Sequence, residues 1–514
     1  MDKSNVQLIM VNRVANSLMK LIGKFSSLEK GWRLIIFVLM FSVFNSTLLH
    51  AQKSRTSAMG GISYSVIDQD ESFDPFQLGG NTAWLVKSKQ QTRLDISPNY
   101  NSHFGNYRRT YSAQRVNNYN ANFIGVKPLG ASGTFMGKAS YDYQNRIKNY
   151  RTLIKDSYAG DAFSFTDTTT GNTTYNGPLF ELSHSLRIYK SLYAGGGVGY
   201  KILNGLKDVY TYGETVFRNV YGNFGLAYQF SDDIVAGFSI RAFNSQERIE
   251  ANDVNLMTVR TYHWRGETHF IELRGSSQNY KLAKKGSVFS SQFYFHPNNK
   301  IEIGLAADYD LHSTKVLFPV GSLIDVEDGF ADFDYFTFRG KARYAVSDNL
   351  LSAISISAFK NHSWSENVKH NTLLWEWNYT GVKFGLGGSY NINSSLLIAV
   401  ELEGSYISSD SSKYIDNRST SVDAFNTIVR IGTEYCATNS VTLRGGYNLL
   451  NLQHDFLVGG ENVVGNKFTL GAGYKLSDNF NIDGTVQYLR RKCNSNNKLY
   501  SDLYLILTLR FFTF

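Results

Sequence analysis

The sequence contains very little cysteine and proline. Only two cysteines, Cys436 and Cys493, and six prolines occur among its 514 residues. Two cysteines are too few for a disulfide framework, and they have no CxxC spacing for a metal. The shortage of proline, and the lack of any Pro-, Gly- or Ser-rich linker, argues against a series of soluble domains. Tyrosine (33), phenylalanine (35) and glycine (44) are abundant, which is typical of a β-rich chain.

Long apolar runs are also scarce, and the one that stands out is LIIFVLMFSVF at residues 34–44. Basic residues precede it and LLHAQ follows it. A helix needs about 20 apolar residues to span a bilayer, so this run is too short for an anchor and predicts a secretory signal peptide. We expect residues 1–51 to be that peptide, with cleavage between Ala51 and Gln52. Glutamine in place of cysteine after the cut argues against a lipoprotein.

Neither sign of charge dominates the remaining chain. The whole sequence has 52 basic and 43 acidic residues, and residues 1–51 hold six of the first and two of the second, which leaves a small excess of five positive charges. No Lys/Arg run supports a nucleic-acid partner. The GxSxG, HExxH and P-loop patterns are missing as well, and the sequence predicts no cofactor or metal.

The informative signal is an alternation of apolar and polar residues. In IEIGLAADYDLHS, at residues 301–313, the odd-numbered residues are almost all apolar and the even-numbered ones small or polar. Alternate residues of a strand share a face, so this pattern indicates a strand between an apolar and a polar environment. Residues 396–406 and 425–435 repeat it, as do VTLRGGYNL, FTLGAGYKL and FNIDGTVQY.

The connections between these strands alternate in length. Short polar turns such as FSDDI, FHPNNK, VSDNL and LSDNF join strands into hairpins,. Longer polar stretches separate the hairpins, at residues 148–178, 248–284, 361–372 and 408–421. Together they predict an all-β fold, a transmembrane antiparallel β-barrel over residues 89–514 with short periplasmic turns and long extracellular loops. Our best estimate is 18 strands, with 16 or 14 as alternatives.

This topology predicts whether the two cysteines can form a disulfide. Cys436 falls at the periplasmic end of its strand and Cys493 at the outer end of another. We therefore expect no disulfide between them within one chain.

Aromatic residues recur on the apolar face where strands reach the short turns. Rings at the border of hydrocarbon and water form the girdle of a membrane barrel. The expected girdle residues are Tyr228, Phe295, Tyr344, Tyr390, Tyr435 and Tyr474.

Charged residues of both signs fall on the opposite, inward face. One interpretation is a pore lining that selects a charged solute. The other is that opposite charges pair across neighbouring strands and brace a wet interior, which the mixed signs favour because they build no single field. The residues concerned are Arg241, Glu302, Asp308, Asp310, Arg339, Lys341, Arg343, Lys383, Glu401, Glu403, Arg430 and Arg444.

Asp308, Asp310 and His312 share one face near the outer rim. Their spacing could hold a metal or form an acid/base pair. Alternation alone also puts polar residues there, so we predict no catalytic residue. A hydrolase with its active site at the barrel rim ranks third, after a channel or uptake protein and a non-conducting barrel.

Residues 52–88 do not alternate like a membrane strand, and they contain DQDESFD and GGNTAWL. Here the chain resembles the uncharacterised outer-membrane β-barrel proteins of Bacteroidota, and more remotely the long-chain fatty-acid channel family. In those proteins an Asn-Pro-Ala-like element precedes the first strand, and GGNTAWL has the Asn and the Ala without the Pro. The resemblance implies the outer membrane of a Gram-negative bacterium, and a segment 52–88 that lies in the periplasm or folds into the barrel as a hatch.

The sequence ends with LYLILTLRFFTF, which predicts the strand that closes the barrel against the first one,. Phe512 and Phe514 resemble the terminal aromatic signal that the barrel-insertion machinery recognises. The odd residues from Leu503 onward face lipid in this interpretation, which puts both phenylalanines on the face of Arg510. Either the strand bulges near Arg510 or the last aromatics turn away from lipid.

We expect a channel or uptake protein for a small solute or hydrophobic ligand. The alternative is a non-conducting structural or secretion-accessory barrel whose outer loops bind a protein partner. Expected partners are outer-membrane lipid and the insertion machinery, and the solute is open.

Overall fold

The computed structural model describes residues 80–86, 92–130, 133–209, 212–252, 259–298, 300–320, 324–456 and 458–512. The expected signal peptide with Ala51 and Gln52, most of segment 52–88, and Phe514 lie outside the described residues. The described residues include two short 3-10 helices, Thr82–Val86 and Val368–His370. No helix among the described residues is long and apolar enough to cross a membrane.

The rest of the fold is one antiparallel sheet of 20 strands. The strands are β1 (Arg93–Gly105), β2 (Arg115–Pro128), β3 (Gly133–Thr152), β4 (Phe163–Tyr189), β5 (Leu192–Asp208), β6 (Tyr212–Gln229), β7 (Ile234–Asn252), β8 (Val259–Arg265), β9 (Phe270–Gly275), β10 (Ser277–Asn298), β11 (Ile301–Val320), β12 (Ile324–Ala345), β13 (Leu350–Asn367), β14 (Thr372–Asn391), β15 (Leu396–Lys413), β16 (Arg418–Cys436), β17 (Val441–His454), β18 (Glu461–Ser477), β19 (Phe480–Cys493) and β20 (Lys498–Phe512).

Eighteen of these strands form a closed barrel. Each pairs with its sequence neighbour, except that β10 pairs with β7, and β20 pairs with β1 to close the wall. Strands β8 and β9 form a separate hairpin in the β7–β10 connection. The best estimate of 18 strands is therefore confirmed. We call the two ends of the barrel the short-turn end and the long-loop end.

The outward face of the wall is apolar and the inward face polar. On β16, Phe425, Ile431 and Tyr435 are almost half exposed, whereas Glu434 on the other face is buried. Side chains of the inward face are shielded from solvent because loops and the side chains of neighbouring strands pack against them. The alternation in the sequence thus predicted the correct faces.

The strands extend further than predicted at the long-loop end. Strand β4 begins at Phe163, inside the stretch 148–178 that the sequence indicated as a loop, and the stretch 248–284 contains the β8–β9 hairpin. The first residues of β4 pair with β8, Phe163 opposite Arg265 and Thr166 opposite Tyr262. Alternation is a weak guide there, because both faces of these extensions are polar or pack on other loops.

The two cysteines lie at opposite ends of the barrel, as predicted. Cys436 is the last residue of β16 at the short-turn end, and Cys493 the last of β19 at the long-loop end. Both are free.

The closing strand decides between the two alternatives for Arg510. Its register against β1 is the same along the strand, Arg93 opposite Phe512 and Gly105 opposite Tyr500, and no shift occurs against β19. A bulge near Arg510 is therefore excluded, and Phe512 shares the inward face with Arg510.

Candidate functional site in the barrel lumen

Ion pairs cover much of the inward face. Arg430 lies 2.7 Å from Glu403 and 3.7 Å from Glu401, both on the neighbouring strand. Two further predicted pore residues, Glu302 and Asp308 on β11, are paired with Arg343 and Arg339 on β12. Opposite charges thus pair across neighbouring strands. Solute selection by the same residues stays a prediction.

Arg444 forms deeply buried inward pairs. Its guanidinium contacts Asp483 on β19 and lies 3.5 Å from Glu434 on β16, and all three side chains are at most 6% exposed. Neither acid was among the residues singled out from the sequence. Alternation in FNIDGTVQY puts Asp483 inward, but it does not show which strand supplies the partner.

The remaining predicted lining residues have more varied surroundings. The Arg241 guanidinium lies 3.9 Å from the ring centre of Tyr221, whose hydroxyl donates to Glu181 at 2.9 Å. Lys341 is partly buried. Lys383 is exposed, and no described carboxylate forms an ion pair with it.

The Asp308, Asp310 and His312 trio is divided among different contacts. Asp308 is held by Arg339. His312 lies 2.9 Å from Asp310 and stacks on Phe333 at 4.5 Å between ring centres. No group of three His, Cys, Asp or Glu side chains in the described part of the chain could hold a metal ion.

The expected girdle residues lie on the outer wall near the short-turn end. Tyr228, Tyr344, Tyr390, Tyr435 and Tyr474 are each 42–47% exposed. Phe295 is less exposed than these. Their role at a membrane border stays a prediction.

Residues 80–86 pack against the inner wall close to the short-turn end. Asn81 Nδ2 donates to the carbonyl of Leu226 (3.0 Å), the carbonyl of Phe238 (3.2 Å) and Oε1 of Gln292 (2.9 Å). Asn81 Oδ1 accepts from the backbone N–H of Ala83 at 3.0 Å. Asn81 is thus the main polar anchor of this segment, which we call the inner segment.

Glycines of neighbouring strands form the seat of the inner segment. A Cβ at Gly195 would lie 2.4 Å from the backbone of Thr82, and one at Gly225 would lie 2.0 Å from Asn81 Oδ1. Gly195 and Gly225 are directly opposite each other on β5 and β6. Any larger residue would push the segment off the wall, so the first glycine of GGGVGY provides close backbone approach.

At the long-loop end, residues 153–162 cross the lumen. The backbone N–H of Lys155 donates to Glu247 on β7 at 2.6 Å. At the other end of this crossing loop, Ala162 N–H donates to Ser365 Oγ on β13 at 3.2 Å. Both ends of the loop contribute to an apolar cluster formed by Leu153, Ile154, Ala162, Phe163, Phe165, Ile249, Ala251, Val259, Tyr280, Val316, Ala331, Phe333 and Leu374.

The β8–β9 hairpin covers the same mouth from outside. The Asp416 carboxylate, in the β15–β16 turn, accepts the backbone N–H groups of Glu267 and Thr268 at 2.8 Å each. Glu267 in turn contacts Lys413 and, at 2.9 Å, Arg418. The hairpin therefore starts between β7 and β10 and is latched at β15 and β16. We call it the lid.

Beside the crossing loop is a cleft of about 270 Å³. Four cations line it, Arg108, Arg109, Arg146 and Lys155, against one acid, Asp156. No described carboxylate forms an ion pair with any of the four cations. Burial lowers the pKa of Lys155. His103, Tyr107, Tyr111, Tyr158 and Tyr500 supply rings to the same cleft.

The cleft cations are held by neutral partners. Arg146 donates to Gln144 Oε1 at 2.7 Å and to the carbonyl of Lys155 at 2.6 Å. Arg109 donates to the carbonyl of Phe456 at 2.8 Å and lies over the ring of Tyr158. The nearby acids Asp156 and Glu247 offset only part of the charge of the four cations, so the cleft is suited to an anion. No periodic signal in the sequence marks it, since its residues come from loops and strand ends.

Several solved outer-membrane proteins are distantly similar in architecture. The toluene transporter TodX of Pseudomonas putida is 10% identical, with 91% of this chain and 99% of that chain covered and a TM-score of 0.32. The toluene transporter TbuX of Ralstonia pickettii is 11% identical (84% and 92% covered, TM-score 0.29). The alcaligin outer-membrane receptor FauA of Bordetella pertussis is 11% identical (81% and 75% covered, TM-score 0.45). No curated protein sequence matches the chain.

A protein-family model described as a family of unknown function (DUF6850) matches residues 82–458. The matched range begins at the inner segment and includes the crossing loop, the lid and the barrel strands as far as β17. A Bacteroidota origin and a relation to the long-chain fatty-acid channel family stay predictions. Because the match covers well over half of the sequence, the chain belongs to this family of unknown function, DUF6850.

Proposed function

We propose that this protein is an outer-membrane β-barrel that takes up a small solute through its lumen. The observation that carries the proposal is the closed wall with apolar residues outside and charged residues inside. On β16, the outward rings of Tyr435 and Phe425 are about ten residues apart, or about 33 Å along a strand. At a strand tilt of about 40° this is about 25 Å along the barrel axis, the height of the apolar band in outer-membrane barrels.

The solute in this proposal is a small organic anion. Support comes from the cleft, where four cations face one acid. Its volume of about 270 Å³ lies just below the usual range of about 300–1,000 Å³ for ligand pockets, which favours a small solute. An anion that entered from the long-loop end would meet these side chains before the paired charges deeper in the lumen.

Passage in this proposal requires internal parts to move. The lid and the crossing loop close the long-loop end, and the inner segment narrows the lumen near the short-turn end. The lid is latched by hydrogen bonds and ion pairs, which exchange with water at a modest net cost of about 1 kcal/mol each. The inner segment and the crossing loop also bury apolar side chains against the wall, so their release requires that this packing opens as well. Segment 52–88, which contains the inner segment, acts as a hatch.

Uptake into proteoliposomes tests the proposal. We expect radiolabelled gluconate to enter at least about fivefold faster than mannitol, a neutral solute of similar size. Arg146→Gln together with Lys155→Gln should remove this preference, because both cations line the cleft. Lys127→Gln with Lys190→Gln, a matched change at the short-turn end, should leave it unchanged.

A barrel that inserts but admits neither solute would contradict the uptake proposal. It would instead fit the alternative, a non-conducting barrel whose long loops bind a protein partner. Copurification of such a partner through the lid would then be the next measurement.

A further inference from the structure

Three cations lie together on the outer wall, towards the long-loop end. They are Arg218 on β6, Arg248 on β7 and Lys285 on β10, and all three are exposed. We call them the wall patch. The lumen and the cleft do not involve them, since they project from the other side of the sheet.

Alternation along each strand fixes their outward direction. Arg218 shares its face with Val220 and Phe224, which are 50% and 53% exposed. Lys285 shares its face with Phe289 and Phe293, each 37% exposed. The wall patch therefore continues the apolar band directly, at its border nearest the long loops.

The register brings the three side chains close together. Arg218 is opposite Gln246, which lies two residues from Arg248 on the same face of β7. Lys285 is opposite Asn244, the next outward residue beyond Gln246. Directly opposite side chains are about 5 Å apart at Cβ and diagonal ones about 7–8 Å, so long Arg and Lys side chains can converge on one small group.

The wall patch is not held in ion pairs by the protein, although Glu214 and Glu250 lie beyond Arg248 on the same outward face. The two neighbouring lysines are paired, Lys281 with Asp325 and Lys315 with Glu327, each at 2.7 Å. No described carboxylate forms an ion pair with Arg218, Arg248 or Lys285. Further around the wall the outward residues beyond the band are instead acidic, among them Asp334, Glu376, Asp410 and Asp423.

We propose that the wall patch binds the phosphate group of an anionic membrane lipid. This rests on the membrane location in the proposed function. Guanidinium and ammonium groups form charge-assisted hydrogen bonds with phosphate, and basic clusters beside an apolar surface recognise anionic head groups. Acyl chains of the same lipid lie against Val220, Phe224 and Phe289. The acidic side of the wall repels such a lipid, so binding is confined to β6, β7 and β10.

Lipid titration of delipidated protein in micelles, followed by native mass spectrometry, tests this site. The probes are phosphatidic acid, phosphatidylcholine and inorganic phosphate. We expect phosphatidic acid to bind the protein, and the variant Arg218→Gln/Arg248→Gln/Lys285→Gln to bind it about a hundredfold more weakly, at roughly fivefold for each cation. Lys127→Gln/Lys190→Gln/Lys300→Gln removes the same charge at the short-turn end and should bind it like wild type.

Equal binding of phosphatidic acid by the wall-patch variant and wild type would overturn the proposal. Phosphatidylcholine that binds as tightly as phosphatidic acid would overturn it too, because binding would then not depend on the net negative charge of the lipid. Inorganic phosphate that binds as tightly as the lipid would reassign the site to a free anion. Insertion into liposomes is scored separately, so a barrel that fails to insert counts against the membrane location and not against the phosphate contact.

Discussion

Asp95 on β1 and Arg510 on β20 lie directly opposite each other and form a buried ion pair across the closure of the barrel. Arg510 Nε is 2.7 Å from Asp95 Oδ1 and Nη2 is 3.1 Å from Oδ2. Each residue is at most 8% exposed. A two-point pair between the first and last strands fixes their register, because a shift by one residue would separate the charges and turn every side chain to the wrong face.

Arg510→Ala should weaken this closure. It leaves Asp95 buried, with only Arg93 nearby at 3.5 Å, so we expect a loss of about 2–4 kcal/mol in the free energy of unfolding. Urea unfolding in detergent micelles, followed by heat-modifiable migration, measures the loss. Lys475→Ala, which breaks the exposed pair with Asp478, is the control and should leave the free energy of unfolding almost unchanged, because solvent screens exposed pairs. Equal losses in the two variants would show that the closing pair has no special part in stability.

Gly195→Val should displace the inner segment. The new side chain would overlap the backbone of Thr82, and the segment can relieve the clash only by leaving the wall. Ala83 is fully buried, so Ala83→Cys, in a background without the two native cysteines, should react with a maleimide at least about tenfold faster when Gly195→Val is added. Gly222→Val adds the same group where only one atom lies near 4 Å, and it should leave the rate unchanged. If the introduced thiol stays protected from the maleimide in both variants, the seat assigned to Gly195 is wrong.

Asp416→Ala should release the lid. It removes the acceptor for the backbone N–H groups of Glu267 and Thr268, which is worth about 1–2 kcal/mol, or roughly tenfold in the open population. Trypsin cleavage after Arg265 or Arg274 should rise accordingly. Asp410→Ala changes an exposed acid of the same strand pair and serves as the control. Unchanged cleavage in Asp416→Ala would mean that the other contacts hold the lid, namely the ion pairs of Glu267 and the pairing of β8 with β4.

The crossing loop should loosen as the pH rises. Burial raises the pKa of Asp161 to about 6 from its usual 3.8, and the nearby Asp156 adds to the shift while Lys284 opposes it. The docked loop thus favours the neutral carboxyl: its contribution is complete below about pH 4 and is lost as the pH rises through about 6. A spin label at Ala159→Cys should become more mobile between about pH 4.5 and 7. With Asp161→Asn added the pH response should shrink, and an undiminished response would assign the change to another group, such as Glu247, which accepts the Lys155 N–H.

The sequence predicted the wall well because the two sides of a membrane strand meet different environments. Residues 301–313 alternate cleanly, and β11 begins at Ile301. The same logic fails at Phe163, where β4 starts, because that extension packs on loops and other strands and does not separate lipid from the lumen. Strand number and facing were therefore predictable, whereas strand length beyond the apolar band was not.

The interior was harder to predict because its contacts are distant in sequence. Asp95 and Arg510 are in contact but 415 residues apart in the sequence, and no local sequence pattern pairs them. The anchor of Asn81 depends on three strands at once. The alternation along each strand identified the inward charges. Arg430 and Glu403 could also be matched as a pair, because they occupy adjacent strands. Loops that fold back into the lumen, such as residues 153–162, carry no periodic signal at all.

Single-channel recording in planar bilayers tests the central claim most directly, that the lumen conducts once the lid and the inner segment move. Wild type should show rare, brief openings, and the Asp416→Ala/Gly195→Val double variant should show long-lived steps that prefer anions over cations. A double variant that inserts fully into the bilayer and yet stays silent would contradict the account.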